Sequence, residues 1–404
     1  MIFRALLLLI VIAITQAATN TRPTVLLISL DGFRYDYAEK YHAKNLLAFA
    51  KRGVRAKAML PSFPTTTFPN HYSIVTGLYP AHHGIVENSF YDPDMKALFR
   101  FNDAKAAFDP RFWGGTPLWV LAEKQGVTAA AYFWPGSDYE ISGKRPTFWF
   151  PYDGTTKKET QVAQVVEWLR LSPNKRPNFI TLYFSEVDHE GHSFGPDADE
   201  TRAAVMAVDK ALGDLFSQIK KAHLPVNIFV VSDHGMAAVD GPMVDLGKLA
   251  NFEGVRTSGS GTNFMVYSDD ISKLDEIYKG LTGKPDPRFM VYRKAEIPAR
   301  LHYEGSSRIG DLVVFSQQRV AVGVVDPKRP PRTGGPQKGN HGYDLAQVPE
   351  MRAIFYAGGP DLKKGLVIEE FENIHVYPLI AKLLRLQVRD TIDGEVKVLA
   401  PILK

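Results

Sequence analysis

The chain has 404 residues, 45% of them hydrophobic, with 48 basic against 44 acidic side chains and no cysteine. A net charge of only +4 excludes a nucleic-acid-binding stripe and strong attraction to a membrane surface. The absence of cysteine excludes a disulfide framework and leaves His, Asp and Glu as the residues able to hold a metal.

Residues 1–18 read as an export signal: a positive charge at Arg4, an apolar run from Ala5 to Ile14, then small residues at Ala17 and Ala18. That run is too short to span a bilayer. No later stretch is long enough, so the mature chain is expected to carry no transmembrane segment. Removing the leader takes away one charge, from +4 to +3. An exported protein without cysteine suits the bacterial periplasm better than an animal cell surface. About 385 residues remain, enough for one large domain with an insertion or for two domains.

Thr24–Leu30 (TVLLISL) is a short continuous apolar run of the kind that forms a buried parallel strand. Asn178–Ser185 and Val226–Ser232 have the same character, and Arg352–Ala357 is a fourth such run. Between them the pattern predicts helices at Lys44–Lys51, Pro117–Lys124 and Gln161–Leu171. A longer helix is predicted from about Asp197 to Lys221, where Val205, Val208, Leu212, Leu215 and Ile219 fall at helical spacing. Strands alternating with helices imply an α/β fold, a mainly parallel central sheet flanked by helices. Tyr91–Phe150 is aromatic-rich and reads as a covering segment. Val244–Val325, with a helix near Ile271–Leu281, reads as an inserted α+β subdomain, and Asp326–Asn340 as a loop returning to the core. The expected catalytic core is therefore 22–243 together with 326–404, with 244–325 inserted.

Each of three predicted core strands runs into an aspartate: Asp31 after Leu30, Asp188 shortly after Ser185, and Asp233 with His234 after Ser232. Ligand sites in open α/β sheets lie beyond the carboxyl ends of the strands. Three carboxylates on one rim repel one another unless a cation compensates them. Asp188 and His192 are four apart in DHEGH, on one helix face. His341 lies in GNHGYD, where glycine lets the backbone approach a crowded centre. Three Asp and three His suit two borderline metals such as zinc. A lone Asp after a strand is more often a cap, and it is the repetition of the pattern that argues for a metal. His71, His82 and His83 show no partner acid in the pattern and read as structural; His189 reads as pocket wall, and His223, His302 and His375 have no supporting context.

Pro61–Gly77 (PSFPTTTFPNHYSIVTG) predicts a helix starting near Phe68 or Pro69, which places Thr67 at its N-terminus. Free backbone N–H groups and the helix dipole favour an oxyanion there. Thr67 is then either a simple cap or a nucleophile, whose hydroxyl needs metal activation.

The stretches LLISLDGFRYDY, PTTTFPNHYSIVTGLYPAHHGIVENSFYD, YFSEVDHEGHSFGP, VVSDHGM and NHGYD together resemble the nucleotide pyrophosphatase/phosphodiesterase family of the alkaline phosphatase superfamily. The likeness runs from Pro23 to about Gly359. It implies one zinc held by Asp31, Thr67, Asp233 and His234, and a second held by Asp188, His192 and His341. It further implies that Asn88 and the backbone N–H of Phe68 hold a phosphate oxygen, that Phe68 and Tyr183 sandwich the base, and that Tyr152 adds a contact. The implied reaction is attack by Thr67 on phosphorus, a covalent threonine intermediate, and release of a nucleoside 5′-monophosphate from a small-molecule nucleotide. The missing cysteines and extra domains resemble compact bacterial members. Four rivals differ in their signatures. A phosphomonoesterase needs an extra cation near Thr67, where the chain offers Phe68 and Asn70; a choline head-group phosphodiesterase is a closer variant. A sulfatase needs Cys or Ser followed by Pro and Arg at fixed spacing, and Ser62–Thr66 lacks the arginine. A zinc- or nucleotide-binding protein without turnover would be expected to lack a ligand or the nucleophile.

Overall fold

Every residue of Thr24–Leu30 is buried, as is every residue of Phe179–Phe184 and Val226–Val231. Near-continuous apolar runs are what a strand covered on both faces requires. In the computed structural model, which describes residues 22–259, 261–325 and 336–404, these three strands are neighbours at the centre of an eight-stranded sheet. The order across the sheet is Leu366–Ile368, Val54–Ala56, Phe355–Gly358, Val226–Val231, Thr24–Leu30, Phe179–Phe184, Ala129–Tyr132 and Phe148–Phe150. The leader at 1–18 and much of the loop expected over Asp326–Asn340 lie outside the described residues.

Alternate strand residues point to opposite faces. Leu26, Ile28, Ile180 and Val230 pack on one side with the helices Lys44–Arg52, Lys158–Arg170 and Asp199–Lys221. Val25, Leu27, Phe229 and Val231 pack on the other with Thr67–Thr76, Leu118–Lys124 and Val376–Leu383. Burying each such side chain contributes about 1.5–3 kcal/mol. The aromatic-rich stretch supplies Phe90, Phe99, Phe112, Trp113, Trp119 and Trp134 to this second core.

The run expected as a parallel strand over Arg352–Ala357 begins at Phe355 and is antiparallel to both its neighbours. Its entry point explains the direction. The chain reaches the sheet with Phe355 beside Val231, at the carboxyl end of the parallel strands, so it can only run back down.

Between 256 and 316 a separate four-stranded antiparallel sheet forms, ordered Arg256–Gly259, Asn263–Tyr267, Leu312–Ser316, Phe289–Arg293, with the helix Ile271–Thr282. Phe264, Val266, Leu274 and Ile277 make a small core of their own. Met265, Tyr267, Val313 and Phe315 face the other way and join the main core, so this sheet is covered on both sides.

Candidate active site

The three central strands all release their chains at one rim. Asp31 follows Leu30 directly, while Asp233 and His234 follow Val231 after one serine. The helix Glu186–Phe194 starts two residues beyond Phe184 and carries Asp188 and His192 one turn apart. His341 comes from a different direction: Gly339–Asn340 pairs antiparallel with Ala237–Ala238, which sets His341 against the turn carrying His234. The two rings stack with centroids 3.6 Å apart.

His234 Nε2 lies 3.0 Å from Asp233 Oδ2, 3.5 Å from Asp31 Oδ1 and 3.3 Å from Thr67 Oγ1. His341 Nε2 lies 3.1 Å from His192 Nε2 and 3.6 Å from Asp188 Oδ1. Three sets, Asp188–His192–His341, Asp31–Asp188–His234 and Asp31–His71–Asp233, each bring their ligand atoms within 4.8 Å of one another. Among the described residues, Asp31 Oδ1, Asp188 Oδ1 and Asp233 Oδ2 are buried without a hydrogen-bond partner, a costly arrangement unless a ligand completes it.

The histidines are oriented to match. Nδ1 of His192 donates to Gly339 O at 2.9 Å, Nδ1 of His234 to Gly235 O at 2.8 Å, and Nδ1 of His341 to Thr65 O at 3.0 Å. A carbonyl only accepts, so each Nδ1 carries the proton and each Nε2 presents a lone pair to the cluster. Burial and the neighbouring carboxylates of Asp233 and Asp188 push Asp31 well above the usual carboxylate range. Burial would also raise Asp233, but His234 and His71 outweigh it and hold it well below that range. Burial lowers His341, with His234 and His192 adding to the effect. A divalent cation is the group that lets this cluster stay ionised.

His71 has the partner acid that the sequence pattern did not show: its Nδ1 is 3.3 Å from Asp233 Oδ2. It also stands 2.9 Å from Thr67 O and, through Nε2, 2.8 Å from Ser29 Oγ. Both ring nitrogens are therefore engaged, and His71 props the wall between Thr67 and Asp233. Its position four residues after Thr67 on one helix was the available signal. His83 is buried against Ser73 and pushed down to about 3 by that burial. His82 pairs with Asp393 on the surface, and His302 stacks on Tyr79. His189, expected in the pocket wall, is exposed.

Thr67 occupies the first position of the helix Thr67–Thr76, with Thr66 as its N-cap. Asn88 Oδ1 accepts the N–H of Phe68 at 2.9 Å. That N–H is thus taken, and the NH2 of Asn88 is the donor left for an oxyanion. Tyr183 is only 7% exposed and donates its hydroxyl to Asp31 Oδ2 at 2.5 Å, so it orients a carboxylate rather than offering a free ring face. Tyr152, 54% exposed and 6.1 Å from Tyr183 between centroids, presents the open ring instead.

Residues 25–344 match the family described as type I phosphodiesterase/nucleotide pyrophosphatase. The chain is 37% identical over 382 residues to human ectonucleotide pyrophosphatase/phosphodiesterase family member 1, covering 92% of this chain and 40% of that protein. It is likewise 37% identical over 382 residues to a venom phosphodiesterase of Crotalus durissus collilineatus, covering 90% and 44%. Against an uncharacterised pyrophosphatase/phosphodiesterase of Schizosaccharomyces pombe the identity is 37% over 404 residues, covering 95% and 81%. The chain thus spans less than half the length of the venom and human relatives. Murine ectonucleotide pyrophosphatase/phosphodiesterase 5 superposes with a TM-score of 0.87 at 32% identity, covering 94% of this chain and 100% of that one. Its inactive threonine-to-alanine form, solved in complex with AMP, also gives 0.87. The chain belongs to the type I phosphodiesterase/nucleotide pyrophosphatase family. Among the described residues no helix is long and apolar enough to cross a membrane.

Proposed function

We propose that this chain hydrolyses phosphodiester and pyrophosphate bonds of nucleotides, such as nucleoside triphosphates and dinucleotides, releasing nucleoside 5′-monophosphates. The observation that carries the reading is the convergence of three partnerless carboxylate oxygens and three imidazole lone pairs beside a threonine hydroxyl at a helix N-terminus. That donor set fits two zinc ions. Asp31, Thr67, Asp233 and His234 would hold one, and Asp188, His192 and His341 the other. Bound there, the ions supply Lewis acidity that offsets charge on the oxygens entering and leaving phosphorus.

Thr67 Oγ1 attacks phosphorus and forms a phosphothreonine ester as the first product departs; water then cleaves the ester and frees the monophosphate. Asn88, with its oxygen anchored on the Phe68 N–H, turns its NH2 toward a non-bridging oxygen. Phe68 and the exposed ring of Tyr152 flank the base, and Tyr183 holds Asp31. A neutral amide at the phosphate favours the single negative charge of a diester over a dianionic monoester. The AMP complex of the murine relative supports a nucleotide as the ligand class. The cysteine-free composition and export-like leader support a periplasmic location, which fractionation of the producing cells tests.

Thr67→Ala is expected to keep two zinc equivalents by elemental analysis while hydrolysis of a thymidine p-nitrophenyl diester falls by at least about a thousandfold. A fully active variant would move the nucleophile elsewhere. The same assay with p-nitrophenyl phosphate and a choline diester separates the rival substrates.

A further inference from the structure

We propose that Asn263, from the inserted segment, is a positioning residue that ties the phosphate side of the site to the turn carrying His341, acting through Glu87. The inference rests on reading the Asp/His cluster as a metal centre. Glu87 is 0% exposed and Asn263 2%. Glu87 Oε1 accepts the N–H of Asn88 at 2.7 Å, and its Oε2 accepts from Asn263 Nδ2 at 3.1 Å. The same Nδ2 donates to the carbonyl of Gly342 at 3.1 Å, one residue beyond His341. An amide nitrogen has two hydrogens, while a carboxylate and a carbonyl are pure acceptors, so the orientation of this amide is fixed. One side chain thereby spans from the backbone of Asn88 to the backbone beside His341.

Two further observations set Asn263 apart from a residue kept for stability. It opens an otherwise apolar strand, Asn263–Tyr267, and its own Oδ1 is buried with no partner among the described residues. An apolar pair of similar size in place of both Asn263 and Glu87 would serve the core as well. The turn it grips is held from both sides. Thr65 Oγ1 accepts the N–H of Gly342 at 3.1 Å and donates to Tyr343 O at 2.9 Å. Arg300, also from the inserted segment, grips Asp344 with two hydrogen bonds of 2.9 and 2.5 Å. Gly342 therefore has both its N–H and its carbonyl bonded, which fixes the backbone next to His341. Groups behind a metal ligand of this kind set affinity and activity by about 10–100-fold.

The test uses the zinc-loaded full chain and two variants. Asn263→Leu keeps the volume and removes both arms. E87Q/N263L also removes the buried charge that faces Asn263, and its glutamine carbonyl can still accept the Asn88 N–H. For Asn263→Leu, kcat on the thymidine diester is expected to fall about tenfold or more and KM to rise. One of its two zinc equivalents should pass to a competing chromophoric chelator about ten times more readily than in the wild type. For E87Q/N263L, KM is expected to return toward the wild-type value while zinc release stays easy, a split that loss of packing does not produce. Circular dichroism and Tm should stay near wild type in at least the double variant. Wild-type zinc retention and kcat in a folded variant, or a zinc loss that only tracks a fall in Tm, overturns the inference. A wild-type protein that binds no zinc overturns the metal reading itself, and is told apart by that measurement alone.

Discussion

Asp31 and Asp233 stand within reach of one imidazole, His234, yet burial and charge drive their acidities in opposite directions. The signs decide how a metal-free protein responds to pH. Asp31, raised in the fold, favours the folded state when protonated, so its contribution is lost as pH rises through its elevated value. Asp233, lowered, acts only below the ordinary carboxylate value of 3.8. His341, lowered, loses stability for the fold only as pH falls below 6.5. His234 is raised: burial pulls it down, but Asp233 outweighs this, so it favours the fold below 6.5 and loses that contribution above it. His234 therefore weakens the metal-free fold as pH rises above about 6.5, and Asp31 does so upward of 3.8. The gap in Tm between zinc-loaded and chelator-stripped protein is expected to widen as pH rises above about 6.5, and Asp31→Asn should flatten the stripped curve. A gap that stays constant would remove the coupling between these groups and the metal.

At the level of elements, the carboxyl ends of the central strands can meet only because a glycine separates them. Gly32 has φ +64°, and a Cβ there would stand 2.9 Å from Asp188 Cα and 3.0 Å from Asp188 Oδ1. Its N–H donates to Asp233 Oδ1 at 3.1 Å, so one small residue sits between two of the acids. Gly32→Ala is expected to cost about 1–2 kcal/mol from the left-handed backbone alone. It should also displace Asp188 and weaken zinc retention more than that destabilisation explains, as chelator titration of the folded variant would show. The same elements mark what could be read in advance. Thr24–Leu30 was legible because a strand buried on both faces needs a near-continuous apolar run, and the aspartate after it was legible as a rim group. Ala129–Tyr132 and Val54–Ala56 were not, since AAAY and VRA carry no strand periodicity and owe their state to neighbours in the sheet. The direction of Phe355–Gly358 depends on where the chain enters, which composition does not record. Tyr183 was placed in the site, but that its hydroxyl would serve Asp31 depends on the pairing of Ser29 with Tyr183 across two strands.

Across the whole molecule, the contacts that hold the site's parts together join residues far apart in sequence, and for that reason no local pattern announces them. Asn263 meets Glu87 across 176 positions, and Arg308 meets Asp92 across 216. Arg308 is the more structural of the two. Its Nε donates to Asp92 Oδ2 at 2.7 Å, and its terminal nitrogens donate to the carbonyls of Gly84 at 2.9 Å, Phe112 at 2.6 Å and Arg111 at 2.9 Å. The guanidinium also lies 5.6 Å from the ring centre of Phe90. Residues 256–316 and the sheet they form are thereby fastened to the aromatic-rich stretch that begins just after Asn88. Arg308→Met keeps the length of the stem but strands Asp92, whose side chain is 3% exposed. A loss of about 3–5 kcal/mol is expected in denaturant unfolding. Adding Asp92→Leu removes the stranded charge and should recover part of that loss, though not the part owed to three carbonyls left without a donor. Zinc content of the folded single variant should stay at the wild-type level, because Arg308 touches none of the Asp/His cluster. Loss of zinc without loss of stability would instead make Arg308, like Asn263, part of the apparatus that aims the ligands.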